Sequence, residues 1–139
     1  MKEYPKNYKY GRVFRVKLKN YEKSTNYLNI ICYQYGLKVL ENSKLTMKHL
    51  ISINRLLKKL FKKNIFLKYN VSMTTPVTKK PLETRMGKGK AERSYWECSL
   101  KKGCIILEVG NVSKNKLKYA FRLVSEKLPF LTKVVKLVY

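Results

Sequence analysis

A single aperiodic stretch divides this chain. From about Val71 to Ser94 the sequence shows neither the 3.6-residue rhythm of a helix nor the alternation of a strand. A segment of that length without regular structure is uncommon inside a compact domain, and is either functional or disordered. The fold must therefore be assembled from the segments on either side. The centre of the stretch is Thr78-Lys79-Lys80-Pro81-Leu82-Glu83-Thr84-Arg85-Met86-Gly87-Lys88-Gly89-Lys90, which mixes cations with glycines and holds one carboxylate. Glycine lets a backbone approach another surface closely, and lysine and arginine favour a polyanion as that surface.

The flanking segments are periodic. Leu28 to Tyr33 is apolar and β-branched enough for a strand; Gly36 interrupts, and Leu37 to Glu41 resumes. Thr46 is placed to cap a helix whose apolar positions are Met47, Leu50, Ile51, Ile53, Leu57, Leu60 and Phe61. Ile65 to Tyr69 reads as a short strand. Beyond the aperiodic stretch, Tyr95 to Leu100 and Cys104 to Val109 read as two strands joined in a hairpin by Lys101-Lys102-Gly103, with Trp96, Cys98 and Leu100 on one face. Ser113 caps a second helix to about Leu128, with Leu117, Ala120, Phe121 and Val124 as its apolar stripe, and Pro129 ends it. Leu131 to Val138 is a final strand. The order predicts a single α+β domain over residues 27–139, a mixed sheet covered by two helices. Residues 1–26 form a basic extension, in which Arg12 to Lys19 alternates as a strand with one cationic face or an arm that orders on RNA.

Charge narrows the partner. The chain carries 32 Lys and Arg against eight glutamates and no aspartate, a net charge of +24. Self-repulsion of that size opposes the compact state unless a polyanion relieves it, and nucleic acid is the usual candidate because each neutralised phosphate releases counterions. Hydrophobic residues make up 45% of the chain, too many for a disordered basic tail. On the first helix Lys48, Arg55, Lys58, Lys59, Lys62 and Lys63 occupy the polar side with no acid to form i,i+4 pairs. A solvated face is the plain reading; the absence of relieving charge favours a face turned to phosphate, with Lys48, Arg55, Lys59 and Lys62 as contacts. The N-terminal Tyr4, Tyr8 and Tyr10 are candidates to stack on bases. Membrane activity is the rival, but the cations run along the whole chain instead of flanking one amphipathic anchor.

Catalysis finds little support. There is no aspartate, and His49 is the lone histidine, read as a helix-surface residue. Glu83 and Glu92 flank the loop, but neighbouring cations disfavour their acidic form. Cys32, Cys98 and Cys104 lack metal spacing and read as packed thiols, although a bridge between Cys98 and Cys104 across the expected hairpin stays open. Gly87-Lys88-Gly89-Lys90 lacks the spacing of a nucleotide phosphate loop. No cofactor, metal or small-molecule substrate is expected.

The loop and its surroundings also resemble a known family. Pro76 through Lys90, then Tyr95-Trp96, Lys102-Gly103, Leu107-Glu108, Ala120-Phe121-Arg122-Leu123 and Lys127-Leu128-Pro129, with Tyr35-Gly36-Leu37-Lys38 and Leu45-Thr46 upstream, are similar to the bacterial-type L-sixteen family of large-subunit ribosomal proteins. The resemblance implies an α/β-hammerhead-like α+β domain bound to large-subunit ribosomal RNA at the base of the central protuberance, beside neighbouring ribosomal proteins. It also implies that the glycine-containing loop reaches toward the peptidyl-transferase region and the tRNA acceptor arms. By position, Arg85, Met86, Gly87 and Lys88 inherit the loop tip and Lys79 and Lys80 its basic stem, with Gly89 and Lys90 also among the rRNA- and tRNA-binding loop residues. Two departures stand out: Ala91 replaces a usual glycine, which puts a positive φ there in doubt, and the N-terminal segment lacks the family's Arg/Gly-rich sequence. The 26 lysines against six arginines suit an A/T-rich genome. With no Arg- and Ser-rich presequence in view, that implies a mitochondrial ribosome and an organelle-encoded chain, or one that has lost its presequence, with a plastid as the lesser alternative. A free-standing basic RNA-binding protein is the alternative function.

Overall fold

A computed structural model describes residues 30–62 and 65–137. The expected extension, with its tyrosines and the Arg12–Lys19 alternation, lies outside the described residues, as does Lys63. Seven strands and two helices follow in the order β1 (Tyr35–Val39), β2 (Ser43–Thr46), α1 (Met47–Phe61), β3 (Phe66–Tyr69), β4 (Thr75–Thr78), β5 (Arg93–Leu100), β6 (Ile105–Gly110), α2 (Lys114–Ser125) and β7 (Thr132–Lys136). The class is α+β, as the sequence predicts. The strands divide into two antiparallel sheets, one ordered β3-β6-β1-β7 and the other β2-β5-β4.

The helices form where amphipathic periodicity demands burial. Met47, Leu50, Ile53 and Leu57 of α1 are buried, as are Leu117, Ala120, Phe121 and Val124 of α2. They join Leu37, Val39, Leu45, Trp96, Leu100, Ile106, Leu107 and Val109 from the strands in one core. Thr46 and Ser113 both stand at N-cap positions with extended backbones. At the first, the Thr46 N–H donates to His49 Nδ1 at 3.3 Å. His49 is half-buried against the cap, and burial pushes its pKa down. Helix α2 ends three residues before the expected Leu128, as the chain tightens through Lys127 N–H to Val124 O and Leu128 N–H to Ser125 O.

Four local expectations are corrected. First, β5 and β6 are not a hairpin. Strand β6 pairs with β1 and β3, and β5 pairs with β2 and β4. The Gly103 N–H donates to Val39 O at 2.9 Å and Cys104 O accepts from Val39 N at 2.9 Å, so the connection crosses between sheets. All three cysteines are free, and burial together with the nearby Cys104 pushes the Cys98 thiol up to about 11. Second, β2 was not expected, and it supplies an edge for β5. Third, β4 lies inside the stretch read as irregular. Pro76 has no N–H to give a ladder, and β4 accommodates it as an edge strand. Fourth, Gly36 does not break a strand; it sits inside β1. A Cβ there would lie 3.0 Å from Ile30 Cγ1 and 3.1 Å from Ile105 Cγ2, so the glycine admits a segment packed directly on the sheet.

That segment is the one read as a strand ending at Tyr33. Among its described residues it is irregular, because its backbone donors go elsewhere. Glu108, fully buried in β6, accepts from Ile31 N at 3.2 Å and Asn70 Nδ2 at 2.6 Å on one oxygen. Its other oxygen accepts from Cys32 N at 2.8 Å and Tyr33 N at 3.1 Å. Successive N–H groups thus form a cradle for an anion that the protein supplies itself. Burial alone would raise the Glu108 pKa; Asn70 and the three backbone donors outweigh it and hold the carboxyl below its ordinary range. Glu97, the other buried carboxylate, is paired with Lys44 Nζ at 3.0 Å.

Candidate nucleic-acid interface

The loop is rooted in a sheet. Strands β4 and β5 pair from Thr75 with Glu97 to Thr78 with Arg93, and residues 79–92 form the excursion between them. A bulge between Val77 and Thr78 marks its start. At the root, Lys79 N–H donates to Glu92 O at 3.4 Å, and the Arg93 guanidinium lies 5.1 Å from the centre of the buried Trp96 ring. The excursion is therefore narrower than the stretch 71–94, since 75–78 and 93–94 belong to paired strands.

Beyond the root the loop folds on itself. The Thr84 N–H donates to Pro81 O at 3.2 Å, forming a turn, and Lys80 Nζ donates to Gly87 O, tying stem to tip. Residues 81–90 are all exposed, and Leu82 and Met86, both apolar, are 97% and 99% exposed. The tip runs through three successive left-handed residues: Gly87 at φ 98, Lys88 at φ 56 and Gly89 at φ 72. Lys88 occupies that region at a cost of about 1–2 kcal/mol. A Cβ on Gly87 or Gly89 would meet nothing within 4 Å, so the glycines there serve backbone conformation and not packing. Ala91 keeps a negative φ, so the usual glycine is not needed at that position in this chain.

Helix α1 presents the second element. Lys48, Arg55, Lys59 and Lys62 are exposed. At 100° per residue Lys48, Arg55 and Lys59 fall, with Ser52, into one stripe along the helix, and Lys62 follows just past its end as the C-cap residue at φ 53. The helix has no acid in its first turn and carries Lys58 and Lys59 in its last. Among the described residues no carboxylate pairs with these four cations. Loop and helix share a base: β2 leads directly into α1 and pairs with β5, which roots the loop. No hydrogen bond or ion pair among the described residues links the α1 stripe to the loop cations, so these are two patches. Among the described residues there is no group of His, Cys, Asp and Glu fit to hold a metal, and no helix long and apolar enough to cross a membrane.

Comparison with known proteins gives the family. The family model described as ribosomal protein L16p/L10e matches residues 5–135. The chain belongs to this family. Large ribosomal subunit protein uL16 of Staphylococcus haemolyticus is 37% identical over 132 residues, covering 95% of this chain and 90% of that protein. The uL16 of Maricaulis maris is 33% identical over 131 residues, 94% of each chain. That of Wigglesworthia glossinidia brevipalpis is 37% identical over 102 residues, 73% of this chain and 75% of that one. As an L16p/L10e member the chain is a structural ribosomal protein and not an enzyme. The match enters the stretch read as an N-terminal extension. One cationic surface escaped the sequence reading. Helix α2 also exposes Lys114, Lys118 and Arg122 at i, i+4 and i+8, with no acid in its first turn. The signal was the same one-sided charge that marks α1.

Proposed function

We propose that this large-subunit ribosomal protein binds ribosomal RNA at the base of the central protuberance through the α1 stripe, and that its 79–92 loop helps position tRNA acceptor arms near the peptidyl-transferase centre. Lys79, Lys80, Arg85, Met86, Gly87, Lys88, Gly89 and Lys90 are the loop residues of this reading, and Lys48, Arg55, Lys59 and Lys62 those of the helix. The observation that carries it is the exposed left-handed tip at Gly87-Lys88-Gly89. A strained, fully exposed turn with no internal packing role fits a backbone shaped for another molecule. The means are positioning and charge neutralisation: lysines act as point charges, and Arg85 adds a planar fork that binds phosphate bidentately or stacks on a base.

We place the particle in a mitochondrion on the lysine excess of the sequence. The test is sedimentation of the native protein through a gradient. Co-migration with mitochondrial large subunits, persisting until RNA is digested, is the expected result. Migration with free RNA or alone would favour a free-standing RNA-binding protein, and migration with another compartment's ribosomes would overturn the location only.

A further inference from the structure

We propose that the concavity between α2 and β7 seats one unstacked nucleotide of RNA, its base against the Tyr119 ring and its phosphate on Lys118 and Arg122. The inference rests on the RNA-binding reading but assigns it a face separate from both the loop and the α1 stripe, and a different mode of contact.

The concavity measures about 570 Å³, within the ordinary range for small-ligand sites. Helix α2 supplies one wall with Asn115, Lys118, Tyr119 and Arg122; Phe121 lies at the floor, and Val134 of edge strand β7 closes the far side. Ser125 also lines it, but its hydroxyl already bonds Phe121 O at 2.8 Å and Thr132 Oγ1 at 2.9 Å, holding helix and strand at a fixed separation. Tyr119 is 60% exposed and Val134 39%, an unusual apolar lining for the outer face of a helix bearing four cations. Lys118 and Arg122 stand one turn apart on the same flank of the Tyr119 position. Among the described residues the Arg122 guanidinium has one loose, exposed ion-pair contact, 4.0 Å to Glu126, easily exchanged for a phosphate. Along β7, alternation puts Lys136 on the same face as Thr132 and Val134, so the basic rim continues on the strand side.

An aromatic face flanked by cations in a cleft is the chemistry of single-strand recognition. Stacking serves any unpaired base, while the cations track the backbone. A paired base within a duplex cannot enter, because its faces are covered by neighbours. An acidic protein segment would satisfy the cations but leave the ring face unused.

The test uses the full chain and synthetic RNA at about 0.15 M salt: a single-stranded oligouridine of about ten nucleotides and a hairpin duplex of equal charge, read by fluorescence anisotropy. Tyr119→Leu should weaken single-strand binding about 5- to 150-fold, the range for one stacked base, and leave duplex binding near wild type. Tyr119→Phe should bind like the wild type, and Lys118→Gln should weaken both RNAs. Equal single-strand affinity of wild type and Tyr119→Leu would overturn the seat. Equal weakening of both RNAs by Tyr119→Leu would overturn it too, as a general effect on folding or charge. If Tyr119→Leu and Lys118→Gln weaken binding of a polyglutamate peptide but not of oligouridine, the cleft takes an acidic protein segment and the proposal is wrong. If wild type binds neither RNA while remaining folded, the RNA reading itself fails, a result distinguishable from loss at Tyr119 alone.

Discussion

Replacing Glu108 by glutamine will loosen the segment that precedes β1. The carboxylate has two oxygens, and each accepts two hydrogen bonds: Ile31 N and Asn70 Nδ2 on one, Cys32 N and Tyr33 N on the other. Glutamine keeps one oxygen and turns an NH₂ toward the other pair, orphaning two donors in a buried site. At about 1–3 kcal/mol for each unsatisfied buried group, the cost is about 2–6 kcal/mol, a large share of the roughly 5–15 kcal/mol that holds a domain together. With a urea dependence of about 2 kcal/mol per molar, the unfolding midpoint should fall by about 1–3 M. The assay is urea unfolding in about 0.5 M salt, so that screening limits self-repulsion, together with hydrogen exchange at residues 31–33. The sign with pH follows from the depressed carboxyl. Its contribution is complete above the ordinary glutamate range and is lost as pH falls through the lower folded value; Glu108→Gln removes that acid-side loss. A variant midpoint equal to wild type, with unchanged exchange at 31–33, would refute the reasoning.

Three further outcomes are expected. Arg55→Ala and Lys59→Ala should each lower the salt slope of RNA binding by about one unit; an unchanged slope in titrations from low to high salt would make the α1 stripe a merely solvated face. Tyr69→Phe should be neutral or stabilising by up to about 1–3 kcal/mol, because the Tyr69 hydroxyl is buried without a hydrogen-bond partner among the described residues; a clear loss in the urea midpoint would show that the hydroxyl has an essential partner. The free chain, at +24, should lack a cooperative thermal transition at ~10 mM salt, where screening reaches only to about 30 Å, and gain one with RNA; a sharp low-salt melt by circular dichroism would contradict this.

The parts legible in the sequence are those whose stabilisation is local. Helix α1 announced itself through its cap and the spacing of Met47, Leu50, Ile53 and Leu57, and α2 through Leu117, Ala120, Phe121 and Val124. Strands β6 and β7 were visible as apolar runs. What escaped depends on distant partners. Strand β2 is four residues long with only Leu45 buried, and it exists because β5 lies beside it. Strand β4 hid behind Pro76 and an aperiodic neighbourhood. The Lys101-Lys102-Gly103 turn looks like a hairpin in isolation, but β6 is buried along its whole length and takes β1 and β3 as neighbours, which excludes β5. The apolar residues before Tyr35 suggested a ladder, and a carboxylate about 75 positions away took their N–H groups instead. A glutamate inside the apolar run from Cys104 to Val109 was the one hint. For the candidate interface, the loop cations and glycines were legible as chemistry, and the structure added the paired root, the left-handed tip and the cleft beside Tyr119.

The central claim is that the loop tip acts on tRNA. The most direct measurement is tRNA affinity and peptide-bond rate on purified large subunits, reassociated into ribosomes, that carry Arg85→Ala. Arg85 is exposed at the tip and, among the described residues, bonds no core element, so assembly should proceed normally. Loss of one charged contact should weaken tRNA accommodation by about 1.5–3 kcal/mol, roughly 10- to 150-fold, with a slower peptide-bond step. Fully assembled subunits with wild-type tRNA affinity and wild-type rate would contradict the account.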